Sequence, residues 1–256
     1  MNTKSYKYSH QKENYGIEYD KKLYSKDCYD NRAWSIEKDI LTKYFLKEDI
    51  SNKNVLDFAC GTGRITELLE EFDFKTITGI DVSDSMLKVA KSKLNKTKLL
   101  KYDINEKCDN KILDNNFSYI TAFRFFLNAE QSLREKTIKS FYKILDEDGI
   151  VIANIHLSSK SFMYFYAVFY NFMVNISKIL GIKRFRTRNY ISENQLVSMF
   201  VKEGFELVKI EHYSFMPPFF AKVLSMNKWL CLENYLRSRN LKFSNYFMCF
   251  FKKVNG

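Results

Sequence analysis

The chain has 256 residues and a mass of 30.5 kDa, 46% of it hydrophobic and 16% aromatic, with only 8 Gly and 2 Pro. That composition excludes a disordered chain and a turn-rich β fold, and leaves room for one α/β domain with an added lid. The net charge of +11 is unevenly placed: residues 1–50 hold 10 Lys/Arg against 9 Asp/Glu, residues 51–150 hold 16 of each, and residues 151–256 hold 15 against 5. An excess confined to the last two-fifths reads either as a solvated face or as a surface that meets phosphate, nucleic acid or lipid head groups. The five cysteines, Cys28, Cys60, Cys108, Cys231 and Cys249, form no C-x-x-C pair and no Cys/His cluster. Neither a disulfide framework nor a metal site is expected. Residues 1–16 are polar and lack the apolar core of a signal peptide, so the expected compartment is the cytoplasm.

In chain order, Ile36, Ile40, Leu41, Tyr44 and Phe45 recur at helical spacing and predict a helix over 31–47. A β-type run from Asn54 to Ala59 enters Gly61-Thr62-Gly63, and Ile65, Leu68, Leu69 and Phe72 carry the next helix. Thr76 to Ile80 is a second strand, followed by Asp81 and a Ser83 cap for a helix with Met86, Leu87, Ala90 and Leu94. Lys98 to Tyr102 and Phe117 to Ala122 are further strands. Leu133, Ile138, Phe141, Ile144 and Leu145 mark a helix closed by Asp148-Gly149. Ile150 to Ile155 is a buried strand ending at His156; Ser192-x-x-Gln195 is a capping box before another helix; Phe205 to Tyr213 and Tyr246 to Lys252 complete the strands.

Such alternation predicts an α/β fold: a doubly wound, mostly parallel seven-stranded sheet with helices on both faces. Ligands of these sheets bind at the carboxyl ends of the strands, where strand order reverses. Gly61, Asp81, Asp103, Phe123 and His156 should therefore share one rim. The apolar stretch 161–182, followed by Lys183-Arg184-Phe185-Arg186-Thr187-Arg188, interrupts the pattern. Asn171, Asn175 and Lys178 punctuate it, and it sits between elements of the sheet, so it reads as an inserted helical lid, spanning about 160–190, rather than a membrane span. A dimer contact or a peripheral membrane contact is the other use for it.

The glycine turn separates two cofactor classes. A dinucleotide site wants G-x-G-x-x-G, but Thr66 stands in the third glycine's place. Instead, Asp57 precedes the glycines within the strand and Asp81 ends the next strand. That layout suits a cofactor with no phosphate, a cationic amino acid end and a ribose diol. Asp81 can accept both ribose hydroxyls, and Asp57 can hold the turn and meet the amino group.

Val55-Leu56-Asp57-Phe58-Ala59-Cys60-Gly61-Thr62-Gly63 and Gly79-Ile80-Asp81-Val82-Ser83 resemble the first two motifs of class I S-adenosylmethionine-dependent methyltransferases, and Tyr102-Asp103-Ile104 is similar to the segment after the third strand. The resemblance implies S-adenosylmethionine as cofactor. It places the methionine part against Asp57, Ala59, Gly61 and Gly63, the ribose on Asp81, and the adenine on Asp103 and Ile104, with Val82, Met86 and Phe123 lining the site. It also implies that the N-terminal cap, residues 1–34, folds over the methionine end with Tyr19 or Tyr29, ahead of a methyltransferase domain over 35–256. One departure from the family pattern is Ser118, where an acid often opens the fourth strand. A catalytic Asp from that motif is not expected.

Methyl transfer from a sulfonium is an in-line displacement that mainly needs alignment and exclusion of water. His156 is the rim candidate for a base, with a satisfied rim histidine as its alternative; Arg124 is the candidate clamp for an anionic group. Arg184, Arg186, Arg188 and Tyr166 are candidate acceptor contacts beneath the lid. A loose similarity of Leu127-Asn128-Ala129-Glu130 to methyltransferases of bacterial sugar and surface-polysaccharide pathways implies a small polar, anionic acceptor methylated on oxygen. RNA and a lipid-linked acceptor at a membrane surface are the competing substrates.

Overall fold

The computed structural model describes residues 15–23, 28–103, 116–156, 158–181 and 191–254. Two helices come first, α1 (Tyr15–Leu23) and α2 (Tyr29–Phe45). The alternating region follows: β1 (Asn54–Phe58), α3 (Arg64–Leu69), β2 (Thr76–Asp81), α4 (Asp84–Lys91), β3 (Lys98–Lys101), β4 (Phe117–Ala122), α5 (Gln131–Ile144) and β5 (Leu145–Ile155). The last part holds α6 (Phe162–Ile179), α7 (Glu193–Lys202), β6 (Phe205–Tyr213), α8 (Phe220–Val223), α9 (Met226–Ser238) and β7 (Tyr246–Lys253).

The seven strands form one sheet in the order β3-β2-β1-β4-β5-β7-β6. The first five are parallel, while β7 inserts antiparallel between β5 and β6. Strand order reverses between β1 and β4, which opens a crevice at their carboxyl ends. The period of two along each strand divides the core. Leu56, Phe58, Ile120, Phe247, Cys249 and Phe251 face Phe126, Ile138 and Phe141 before and within α5, and Leu196 and Phe200 of α7. Val55, Tyr119, Ile152, Met248 and Phe250 face Ile36, Ile40 and Leu41 of α2 and Ile65 and Leu68 of α3.

Local chemistry explains several boundaries. Ser83 caps α4, accepting from the Met86 N–H, and Ser192 with Gln195 forms the complete capping box of α7. The expected Asp148-Gly149 helix stop is instead the beginning of a long β5. Asp148 takes φ 60°, and the register against β4 shifts between Phe117 and Tyr119. Residue 34, the expected edge of the N-terminal cap, lies inside α2. Three elements, α1, α8 and α9, have no counterpart among the expected helices. Among the buried residues of α9 are only Trp229 and Glu233, a stripe too sparse to signal a helix.

Candidate active site

The glycine turn is held from below by a buried carboxylate. Asp57 in β1 accepts a hydrogen bond from Thr66 Oγ1 of α3 at 2.5 Å and from Thr121 Oγ1 of β4 at 2.8 Å. Burial pushes its carboxyl up to about 6, against the lowering effect of the two hydroxyls, and the nearby Asp81 charge adds to the rise. Above it the backbone turns through positive φ at Ala59, Gly61 and Gly63. Gly63 opens α3 at φ 85°, and a Cβ there would meet Leu94 Cδ1 at 3.1 Å and Ala90 Cβ at 3.2 Å. Only glycine serves both the dihedral and the close packing on the α4 end.

Asp81 ends β2 beside the turn. One oxygen accepts the Gly61 N–H at 2.9 Å and the other accepts the Ser83 N–H at 2.8 Å. The two backbone bonds fix the carboxylate as a bidentate acceptor before any ligand arrives.

A single cleft gathers these groups. Among its lining residues are Asp57, Ala59, Gly61, Asp81, Val82, Met86, Asp103, Phe123, Arg124 and Tyr19, all expected at the site, together with Ile80 and Leu133. The space is about 1090 Å³ with its open mouth included, ample for a nucleoside-sized ligand. Asp81 and Asp103 supply acceptors, Ile80, Val82, Met86 and Leu133 an apolar slot, and Tyr19, Arg64 and Arg124 a polar end. A pyrophosphate would meet carboxylates at the turn. The donor set instead fits a phosphate-free nucleoside bearing a zwitterionic amino acid tail, which is S-adenosylmethionine.

Tyr19 reaches the cleft because α1 packs on α4. Gly16 permits the contact: a Cβ there would stand 2.3 Å from the Ser85 carbonyl oxygen. Lys93 and Asp20 add an ion pair at 2.6 Å across the same interface.

Arg124 follows β4 with φ 59° and pairs through Nη2 with Asp30 of α2 at 2.7 Å. Its backbone N–H donates to Asn154 Oδ1 at 2.8 Å, and its carbonyl accepts from Asn128 Nδ2 at 2.7 Å. Because Oδ1 of Asn154 is taken, its Nδ2 faces Glu37 Oε1 at 2.9 Å and His156 Nε2 at 2.8 Å. Tyr213 also donates to Glu37 Oε1, at 2.8 Å. Burial opposes the Glu37 charge, but His156, Arg64 and Arg124 outweigh it and hold the carboxyl down to about 2. His156 is shifted the other way, favouring the neutral ring, by burial first and by Arg124 second. The ring stacks on Tyr246 at 4.5 Å and accepts at Nε2 from Asn154. Its basic lone pair is therefore engaged inside the network that braces the cleft wall, and His156 is not among the lining residues. The geometry makes it the satisfied histidine of the two readings.

Other expected contacts are also redistributed. Tyr29 points away from the cleft residues: its hydroxyl donates to the carbonyls of Ser214 and Met216, accepts from Asn245 Nδ2, and its ring packs edge-on against Trp229 and Tyr246. Tyr166 lies on the exposed side of α6, 6.3 Å from the Tyr170 ring, and no described residue of α6 lines the cleft. Ile104, Arg184, Arg186 and Arg188 fall outside the described residues. Ser118 donates to Asp146 Oδ2 at 2.8 Å, a bond that ties β4 to β5. No group of His, Cys, Asp and Glu able to hold a metal occurs among the described residues.

Two charged lining residues escaped the sequence reading. Glu37 carried a signal, an acid set between Ile36 and Ile40 on the apolar stripe of its helix. Arg64, whose guanidinium lies 5.0 Å from the centre of the Trp34 ring, carried none.

Residues 55–149 match the family described as a methyltransferase domain. The chain is 32% identical over 111 residues to YqeM of Bacillus subtilis, a provisionally named methyltransferase, a match that covers 41% of this chain and 43% of that protein. It is 27% identical over 172 residues to the demethylmenaquinone methyltransferase of Staphylococcus aureus, covering 62% of this chain and 70% of that one. The chain thus spans less than half the length of YqeM. Among solved structures, magnesium protoporphyrin IX methyltransferase of Synechocystis, with S-adenosylhomocysteine bound, superposes with a TM-score of 0.61 at 12% identity, covering 93% of this chain and 94% of that one. A SAM-dependent methyltransferase of Archaeoglobus fulgidus gives 0.61 at 15% identity, covering 93% and 99%. Residues 55–149 thus match a methyltransferase domain, and the chain shares the fold of solved S-adenosylmethionine-dependent methyltransferases.

Proposed function

We propose that the protein transfers the methyl group of S-adenosylmethionine to a small polar, anionic acceptor such as a sugar, a nucleotide-linked sugar or a phosphoryl compound, most simply at oxygen. The observation that carries the cofactor half is Asp81, a carboxylate at the end of β2 that is oriented by the Gly61 and Ser83 amides and lines the cleft beside Asp103.

When bound, S-adenosylmethionine supplies a methyl group already activated on a sulfonium. What remains for the chain is alignment, exclusion of water and recognition of the acceptor. Asp81 and Asp103 hold the nucleoside, the glycine turn lets the backbone approach closely, and Tyr19 on α1 closes one side. Arg64 and Arg124 set positive charge into the polar end of the cleft, which supports an anionic acceptor. Arg124 is held there by its Asp30 pair and by a backbone braced on Asn154, so its position costs little reorganisation on binding. With His156 engaged by Asn154 inside the buried network, the reading favours an acceptor that ionises readily or arrives as an oxyanion.

The acceptor half also rests on the Arg184, Arg186 and Arg188 run. Neutralising all three with Gln should raise the KM of an acidic sugar or nucleotide-sugar acceptor by roughly tenfold, with cofactor affinity unchanged and the difference shrinking as salt is added. Steady-state kinetics with methyl-labelled cofactor over a panel of such acceptors reads this out. Turnover only of neutral acceptors, or a KM indifferent to the triple substitution, overturns the anionic-acceptor reading.

A further inference from the structure

We propose that the outer face of α6 is a docking surface for an anionic phospholipid bilayer, on which the protein lies without crossing it. The helix is amphipathic in an inverted sense. Ala167 and Val174 are buried against the molecule, whereas Phe165 is 64% exposed, Phe169 63%, Phe172 59% and Ile179 84%. At 100° per residue, Phe165, Val168, Phe169, Phe172, Met173, Ile176, Ile179 and Leu180 fall within an arc of about 140°. Every one is apolar, and the helix's polar residues Asn171, Asn175, Ser177 and Lys178 fall outside the arc. An outward stripe of this size exceeds the scattered apolar exposure of ordinary surfaces. Those phenyl rings add nothing to the two cores of the sheet, so the folding of the domain does not account for them.

Charge selects the occupant. Residues 151–256 carry 15 Lys/Arg against 5 Asp/Glu, and Lys183, Arg184, Arg186 and Arg188 follow α6 directly in the sequence. A second copy docked on the same face would bring two such basic regions together, whereas anionic head groups neutralise one. An outward face of aromatic and aliphatic side chains, in a part of the chain with a basic excess, is the make-up of a helix that lies in a membrane interface. No described helix is long and apolar enough to cross a membrane, so a surface-bound posture is the one α6 supports. Its place in the fold adds a functional consequence. It leaves the carboxyl end of β5, the same end of the sheet at which the cleft opens, so docking holds the cleft near the lipid surface.

The proposal does not depend on the acceptor reading, because it is tested with neither cofactor nor acceptor. The full chain is mixed with vesicles of phosphatidylglycerol and phosphatidylcholine, or of phosphatidylcholine alone, and separated by flotation. The parent should float with the anionic vesicles, poorly with the neutral ones, and less as salt is raised. Phe165→Ser, Phe169→Ser and Phe172→Ser together should weaken binding by roughly tenfold or more, since each ring's burial in the interface is lost. Leu46→Ser, an exposed apolar residue ahead of β1, should bind as the parent does. An unchanged melting temperature shows that the triple variant is folded. The proposal is overturned by failure of the parent to float with anionic vesicles, by equal flotation with neutral ones, or by a triple variant that binds as the parent does. It is equally overturned if light scattering shows a parent dimer that the triple variant splits, which would make a second copy the occupant.

Discussion

Asp57 sits where a carboxylate is least comfortable, sealed under the glycine turn with two threonine hydroxyls as partners and no cation against it. Its folded value near 6 lies above the ordinary 3.8, so between those values the folded chain holds a proton that the unfolded chain has released. Stability therefore falls as pH rises from about 4 to about 6, by at most about 3 kcal/mol, and is level above that window. Asp57→Asn should flatten this part of the profile. Denaturant midpoints of parent and variant across pH 4 to 7 check it, and parallel profiles would show that the burial of Asp57 is relieved in solution. Both site acids were legible in the sequence because their surroundings are local: Asp57 is two strand positions from the turn, and Asp81 closes the next strand. The partners of His156 and Tyr29 were not legible, because they are distant in sequence. Glu37 reaches His156 across the sheet, and Asn245 reaches Tyr29 from the far end of the chain.

Helix α1 shows how one small residue positions an element. Gly16 lets it rest on the first turn of α4, where even a methyl would stand 2.3 Å from a backbone carbonyl oxygen, and this contact delivers Tyr19 to the cleft. Gly16→Val should displace α1 and weaken S-adenosylmethionine binding by roughly tenfold, with the melting temperature little altered because no described side chain of α1 belongs to either core of the sheet. Calorimetry and thermal denaturation on the one variant separate the two effects. Full-strength binding would mean that α1 is not part of the site. The alternating elements were readable from their apolar periods and caps, Ser83 and the Ser192/Gln195 box above all. What escaped was either sparsely buried, as in α9, or irregular, as where Asp148 turns the expected helix stop into the start of β5. For α6, composition gave the helix correctly, and none of its described residues lines the cleft. Its rings point outward.

For the molecule as a whole, β/α alternation specified the sheet and the rim at which it binds. The antiparallel insertion of β7 between β5 and β6 was not specified by any local pattern, since periodicity records which face a residue takes and not which strand lies beside it. The electrically balanced stretch 51–150 builds most of the cofactor side of the cleft, while the basic remainder carries α6 and its outward face. The proposed methyl transfer presupposes that the cleft takes S-adenosylmethionine through Asp81. Isothermal titration of the purified protein with S-adenosylmethionine, S-adenosylhomocysteine and NAD, alongside Asp81→Ala, tests that claim most directly. The account predicts saturable one-to-one binding of the first two, none of NAD, and a loss of roughly a hundredfold or more in the variant, as two charge-assisted hydrogen bonds disappear. Binding of NAD in preference to S-adenosylmethionine, or an affinity that Asp81→Ala leaves unchanged, would contradict it.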